Sequence, residues 1–263
     1  MDDTYHVMVC VKQVPDAADV SIDPDTGTLN RADAKAVMNR PDYNAVEAAL
    51  ALADEMGEAR VTAVTMGPPW AKEILVDAVA MGADDGVLIT DRAFAGSDTW
   101  PTSLALARAA ESFDADVVVC GEESTDSSTG QVPPGVAAHN DWAQLTYVES
   151  LGFDDETGEV LGTRAVEGGH ETLAATTPVV VAVEYGANAP RIAGLHRTIY
   201  AQTEFEPTEL SAADLEIEDQ VGLAVSPTSV GGMETAEPVP RERTMVESVD
   251  ELADALREAE VLA

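Results

Sequence analysis

The residue types best suited to chemistry lie in one stretch, Cys120-Gly121-Glu122-Glu123-Ser124-Thr125-Asp126-Ser127-Ser128-Thr129-Gly130-Gln131-Val132. It follows the apolar run Val117-Val118-Val119 and leads into Pro133-Pro134. An apolar strand thus empties into a hydroxyl-rich, glycine-punctuated loop that turns into a helix. The carboxyl end of a strand is where ligands sit in open parallel sheets. Free N–H groups at a helix start favour an anion there, typically a phosphate. Ser127, Ser128, Thr129 and the amides up to Gln131 can hold phosphate oxygens, and the cradle must lie before Pro133 and Pro134, which donate no N–H. The chain reads first as a nucleotide binder.

Other strand ends must converge on that loop. The first predicted strand ends at Cys10-Val11-Lys12, the second at Met66-Gly67, and Asn39-Arg40-Pro41-Asp42 enters the first helix. Small or polar residues there would let an adenine edge bond to backbone groups. Each position also has an ordinary explanation: Asn39 in a turn, Asp42 as an N-cap, Thr125 to Thr129 as a solvated loop. Their joint placement at strand ends favours a site. Neither G-x-x-x-x-G-K-[ST] nor G-x-G-x-x-G occurs, so binding would use neither of those fingerprints. His6, His139, His170 and His196 are scattered without metal-ligand spacing. No arrangement suggests a catalytic triad or a carboxylate pair for acid–base work.

The elements that would position these residues alternate strand and helix. Val7–Val11 is a continuous apolar run, the mark of a strand covered on both faces. Ile22 to Leu29 suggests a small hairpin turning on Asp-Thr-Gly. A helix is expected from Pro41-Asp42 to Gly57, with Val46, Ala49, Leu50 and Ala53 inward. Val61–Met66 is the next strand. Gly67-Pro68-Pro69 opens a helix carrying Ile74, Leu75, Ala78 and Val79 that stops at Gly82. Gly86–Thr90, a helix from Thr99 to Phe113, Val117–Cys120, a helix from Gly135 to Asn140 and a fifth strand from Gln144 to Val148 follow. The pattern calls for a doubly wound parallel sheet of Rossmann-like, adenine-nucleotide-binding type. Residues 154–184 then read as antiparallel hairpins added to the sheet edge. This gives a nucleotide-binding α/β domain over 1–189, followed by a loop and C-terminal arm over 190–263. Residues 204–234 look extended and acidic. Ser248-Val249-Asp250-Glu251 is a capping box, and Val249, Leu252, Leu256 and Ala259 form one apolar stripe. Such a helix needs a surface, either its own domain or a partner subunit.

Composition bounds the setting. The chain has 263 residues, enough for one large α/β domain with an extension, and 5% are aromatic, so Val, Ala, Leu and Ile must build the core. Acidic residues number 49 against 14 basic, a formal net charge of −35. That surface suits a halophilic cytoplasm of multimolar salt, where screening lengths fall to about 3 Å or less. It argues against nucleic acid or an anionic membrane as partner. A disordered acidic chain is excluded because 45% of residues are apolar and well patterned. Two cysteines, Cys10 and Cys120, without a disulfide framework suit a reducing compartment. No signal-peptide core and no run of ~18 apolar residues is evident, so a soluble cytoplasmic protein without membrane insertion is expected.

Five segments in register resemble a known family. They are Val9-Cys10-Val11-Lys12-Gln13-Val14-Pro15-Asp16; Met38-Asn39-Arg40-Pro41-Asp42 with Ala45-Val46-Glu47-Ala48-Ala49; Ala80-Met81-Gly82-Ala83-Asp84; Gly121 through Gln131 with Gln144-Leu145-Thr146-Tyr147; and Asn188-Ala189-Pro190-Arg191. In this order they closely resemble the β subunit of electron transfer flavoprotein, the FixA-type family. The resemblance implies a heterodimer with an α subunit, which carries most contacts to a redox-active FAD. It implies passage of electrons from acyl-CoA or other dehydrogenases through FAD towards a quinone reductase, without covalent catalysis by this chain. The β subunit's own site would hold AMP, or a second FAD in electron-bifurcating members. By position that site is Cys10, Asn39, Arg40, Pro41, Asp42, Met66 and Gly121 to Val132, to which the strand-end reading adds Lys12. The family's loop after Asn-x-Pro-Arg docks partners through an exposed leucine, here Leu195. Glu122-Glu123 stand where the family usually has a basic residue and Gln, and Ile192 where it has an aromatic. A stand-alone adenine-nucleotide-binding regulator of universal-stress type is the alternative from another class.

Overall fold

Val-rich runs with no polar face become strands of a single sheet, because only a strand covered on both sides can bury every side chain. The computed structural model describes residues 4–16, 21–22, 29–30, 36–229, 245–259 and 261. In chain order the elements begin β1 (Tyr5–Cys10), β2 (Gln13–Pro15), β3 (Ser21–Ile22), β4 (Leu29–Asn30), β5 (Ala36–Met38), α1 (Arg40–Met56) and β6 (Ala59–Met66). They continue with α2 (Lys72–Met81), β7 (Asp85–Ile89), α3 (Thr99–Ser112), β8 (Val117–Gly121), α4 (Val132–Asn140) and β9 (Ala143–Val148). The chain closes with β10 (Ser150–Asp154), β11 (Glu159–Val166), β12 (Gly169–Thr176), β13 (Val179–Val183), α5 (Leu195–Thr203), β14 (Thr208–Leu210) and α6 (Val249–Glu258).

The main sheet has seven strands in the order β14-β7-β6-β1-β8-β13-β9, and every neighbouring pair is parallel. From β1 the chain winds outward through β6 and β7, then crosses back to β8 and winds the other way. The direction reverses between β1 and β8, where Cys10 and Cys120 are register partners. Alternate residues of these strands feed two cores. Val7, Val9, Val117 and Val119 pack under α1 and α2, whereas Met8, Cys10, Val118 and Cys120 pack against α3 and α4. The result is three layers, the doubly wound sheet expected from the βα alternation.

α1 carries Pro41 in its first turn and ends at Gly57 with φ 84°, and its inward residues Val46, Ala49, Leu50 and Ala53 are buried as expected. The short pairing Ile22↔Leu29 joins β3 to β4, and the expected Asp-Thr-Gly turn lies outside the described residues. Three expectations need correction. β10, β11 and β12 form the expected antiparallel hairpins as a sheet of their own, but Val179–Val183 leaves them and inserts between β8 and β9. Its five residues are all buried, the property of a both-face-covered strand rather than of an edge hairpin. Second, α4 starts at Val132, not Gly135, with Pro133 in its first turn, where no N–H is required. Third, residues 204–234 are not wholly an extended arm. β14 extends the main sheet beside β7, and Phe205, Ala212, Leu215, Ile217 and Val221 are buried in the two cores. Their apolar residues are too sparse to show a period, yet enough to seat the segment. Residues 230–244 lie outside the described part. α6 forms with Ser248 accepting the amide of Glu251, and none of its residues is buried. Among the described residues no helix is long and apolar enough to cross a membrane.

Candidate nucleotide-binding site

A cavity of about 530 Å³ opens above the β1–β8 reversal, within the range usual for small-molecule sites. Its floor is Cys10, Val11, Cys120 and Gly121, the carboxyl ends of the two central strands. Met66 and Leu106 add apolar wall, and Asn39 and Asp42 enter from the start of α1. Lys12, Glu122, Glu123, Ser124, Ser127, Thr129, Gly130 and Val132 complete the side made by the β8–α4 loop. Arg40 and Pro41 belong to the first turn of α1, and Thr125, Asp126, Ser128 and Gln131 to the loop, outside the lining set.

Asn39 ties these parts together. Its side-chain oxygen accepts the amide of Thr125 at 3.0 Å, while its nitrogen donates to the Glu123 carbonyl at 2.9 Å and to Asp42 at 2.8 Å. The other Asp42 oxygen accepts the Lys12 amide at 2.6 Å. Asp42 is therefore the third residue of α1 and not its N-cap, because its carboxylate turns towards the end of β1 instead of the helix amides. Burial pushes its pKa up to about 7, against the opposing pull of its bonds from Asn39 and the Lys12 amide and of the Lys12 charge. Gly121 permits this closeness: a Cβ there would lie 2.5 Å from an Asp42 oxygen and 3.0 Å from the Pro41 Cβ. The close approach of β8 to α1 thus requires glycine.

The loop is a compact hydroxyl cluster. The Ser124 carbonyl accepts the amides of Ser127 and Ser128 at 3.2 and 2.7 Å, and the Ser124 and Ser127 hydroxyls lie 2.7 Å apart. Ser128 and Gly130 take φ of 46° and 60°, which turns the chain sharply into α4. The Lys12 ammonium reaches over this cluster, 3.0 Å from Ser124 Oγ and 2.6 Å from Asp126. Although burial alone would raise it, Asp126 is held below its ordinary pKa by Lys12 and Ser124. On the floor, the Cys120 thiol is pushed up by its hydrogen bond with Cys10 and by burial, so its sulfur acts as apolar surface. Apolar walls, with hydroxyls and a lysine beside the loop that leads into α4, could hold a small ligand with one apolar and one anionic end.

Residues that sequence reasoning missed complete the rim. Ser97 and Asp98 come from the turn before α3, Thr99, Thr102 and Leu106 from α3 itself, Pro133 from α4, and Thr228 from beyond the sheet. The turn before α3 follows β7 at the same sheet edge, so the strand-end rule could have found it. Thr228 had no local signal: it reaches the site through its amide and hydroxyl, both donating to Asp98 at 2.8 Å. Leu195, the first residue of α5, lies away from the cavity and is 77% exposed, with Ile192 and Ile199 also exposed beside it in sequence.

Fold and cavity together define a doubly wound α/β protein with an open crevice at its sheet reversal. Residues 26–218 match the model of the electron transfer flavoprotein domain. The chain is 41% identical over 233 residues, 88% of each chain, to the electron transfer flavoprotein subunit beta of Clostridium acetobutylicum. It is 36% identical over 260 residues to the protein FixA of Azotobacter vinelandii, covering 97% of this chain and 92% of that one. It is also 37% identical over 226 residues to the caffeyl-CoA reductase-Etf complex subunit CarD of Acetobacterium woodii, covering 85% of each. The chain belongs to the electron transfer flavoprotein family, among its β-subunit and FixA members, and its role is electron transfer.

Proposed function

We propose that the chain is the β subunit of a heterodimeric electron transfer flavoprotein that binds AMP in the cavity at the β1–β8 reversal. The observation that carries this reading is the cavity itself, where Lys12 and the Ser124–Gly130 cluster meet the start of α4 across an apolar floor. The phosphate sits against that cluster, where loop amides and hydroxyls precede the prolines, and the base rests against Val11, Met66 and Leu106. FAD is shared with the α subunit, and when bound it supplies the redox chemistry. This chain's residues bind and orient. Leu195 docks acyl-CoA or other dehydrogenases as an exposed apolar anchor, and a quinone reductase takes the electrons onward. The setting is a salt-rich cytoplasm, in keeping with the charge of −35. The C-terminal arm, ending in α6 with its exposed Val249 and Leu252, grips the α subunit.

The test is kinetic. The heterodimer is mixed with a reduced acyl-CoA dehydrogenase of the same organism and flavin bleaching is followed by stopped flow. Leu195→Ala is expected to slow reduction while leaving flavin content unchanged. Equal rates for the two proteins would remove the docking role.

A further inference from the structure

The first turns of α1 hold two distant stretches of chain at once. Asn39 and Asp42 grip the walls of the cavity through the Lys12 amide, the Thr125 amide and the Glu123 carbonyl. One turn later, Asn44 grips the segment that leads to Leu195. Its side-chain nitrogen donates to the Asn188 carbonyl at 2.8 Å, and its oxygen accepts the Gly186 amide at 3.3 Å. Asn188 returns a bond to the Asn44 carbonyl at 2.9 Å. Asn44 is only 3% exposed, so its side-chain amide is costly to leave without partners. On the next position facing this way, one Glu47 oxygen accepts both the amide and the side-chain Nε of Arg191 at 2.8 Å, and the other accepts its Nη2 at 3.0 Å. Only Ile192, Ala193 and Gly194 then separate Arg191 from Leu195.

We infer that Asn44 and Glu47 are positioning residues that tie the docking segment to the nucleotide cavity, so that filling the cavity steadies the segment carrying Leu195. The inference rests on the nucleotide and docking roles proposed above. A helix is stiff along its hydrogen-bonded axis, and one end cannot be ordered without restraining the adjacent turn. A ligand that orders Asn39 and Asp42 therefore suppresses local opening of α1, and opening of α1 is what releases Gly186 and Arg191. Coupling of this kind appears as exchange protection and requires no displacement. A second tether runs in parallel: Glu122 lines the cavity and accepts the Tyr185 amide at 3.1 Å. Leu195 is anchored on its far side by Arg197, whose guanidinium caps the end of α2 at the Gly82 and Ala83 carbonyls.

Hydrogen–deuterium exchange on the full chain in its purified complex, stripped of nucleotide and then given AMP, tests the coupling. AMP should slow exchange over 121–131 and also over 184–194, the latter by about fivefold or more, the lower end of ordinary coupling between sites. In Asn44→Ala the slowing over 121–131 should persist and that over 186–189 should vanish, while Tyr185 and Arg191 keep theirs through Glu122 and Glu47. Glu47→Ala, at a half-buried surface position that spares the core, should lose the slowing at Arg191 alone. It decides the matter if Asn44→Ala fails to fold. Slowing confined to 121–131 in the unaltered protein, or undiminished slowing over 184–194 in the variants, overturns the coupling. No slowing over 121–131 defeats the AMP reading itself, and the coupling with it.

Discussion

Asp42 illustrates how a single carboxylate can organise the mouth of a cavity. It accepts two hydrogen bonds from different elements while 5% exposed, and its burial lifts its pKa to about 7. A pKa raised above the ordinary carboxylate value means that the folded state holds its proton longer than the unfolded chain does. The stabilisation from Asp42 is thus complete below about pH 4 and is lost as pH rises through about 7. Urea unfolding at fixed salt should show the stability of the unaltered protein falling, relative to Asp42→Asn, between these limits. A difference independent of pH would contradict the effect of burial. The amide in Asp42→Asn must also turn a donor towards either the Lys12 amide or the Asn39 side chain, at a cost of roughly 1–3 kcal/mol. That Asp42 belonged to the site was legible from its place at a helix start beside strand ends. Its acceptance of the Lys12 amide was not legible, because the bond spans thirty residues and the local pattern of α1 suggests an N-cap.

At the scale of elements, the site depends on how closely β8 approaches α1. Gly121→Ala would place a Cβ against the Asp42 carboxylate and Pro41. Forcing atoms into a packed contact costs about 1–3 kcal/mol, and here it would also part the two walls of the cavity. Calorimetric titration with AMP should show affinity falling together with stability, and a fully retained affinity would contradict the assigned contact. Asp98 is a second hinge of the design. It caps α3 through the Trp100 amide and also holds Thr228. Asp98→Ala should lose about 1 kcal/mol or somewhat more as a cap and expose the chain near residue 228 to proteases, detectable by limited proteolysis. Most elements were legible because their apolar periods are strong, as in α1, α2 and α3. Two were not. Val179–Val183 follows directly on hairpin residues, and nothing local says that it crosses back to the main sheet. The prolines at the start of α4 resemble a breaker, although the first turn of a helix tolerates them.

For the whole molecule, charge and coverage set the conditions of stability. A formal charge of −35 repels itself across a compact surface. Raising KCl from about 0.1 M to multimolar shrinks the screening length from about 10 Å to about 3 Å or less. Thermal midpoints should climb steeply over that range, and a flat profile would show that repulsion is not limiting. The fold class and the position of the cavity could be read from strand ends alone, since a doubly wound sheet leaves one crevice at its reversal. The seating of residues 205–221 could not, because their few apolar residues have meaning only against a sheet edge already formed. The central claim is that the crevice between β1 and β8 holds an adenylate within an electron-transferring heterodimer. The most direct measurement is a count of nucleotides released by mild denaturation of the purified complex, separated chromatographically beside its absorption spectrum. The expected result is one AMP and one FAD per heterodimer, with AMP lost and FAD kept in Gly121→Ala. A complex that transfers electrons at full rate with no adenine nucleotide beyond its FAD would contradict it.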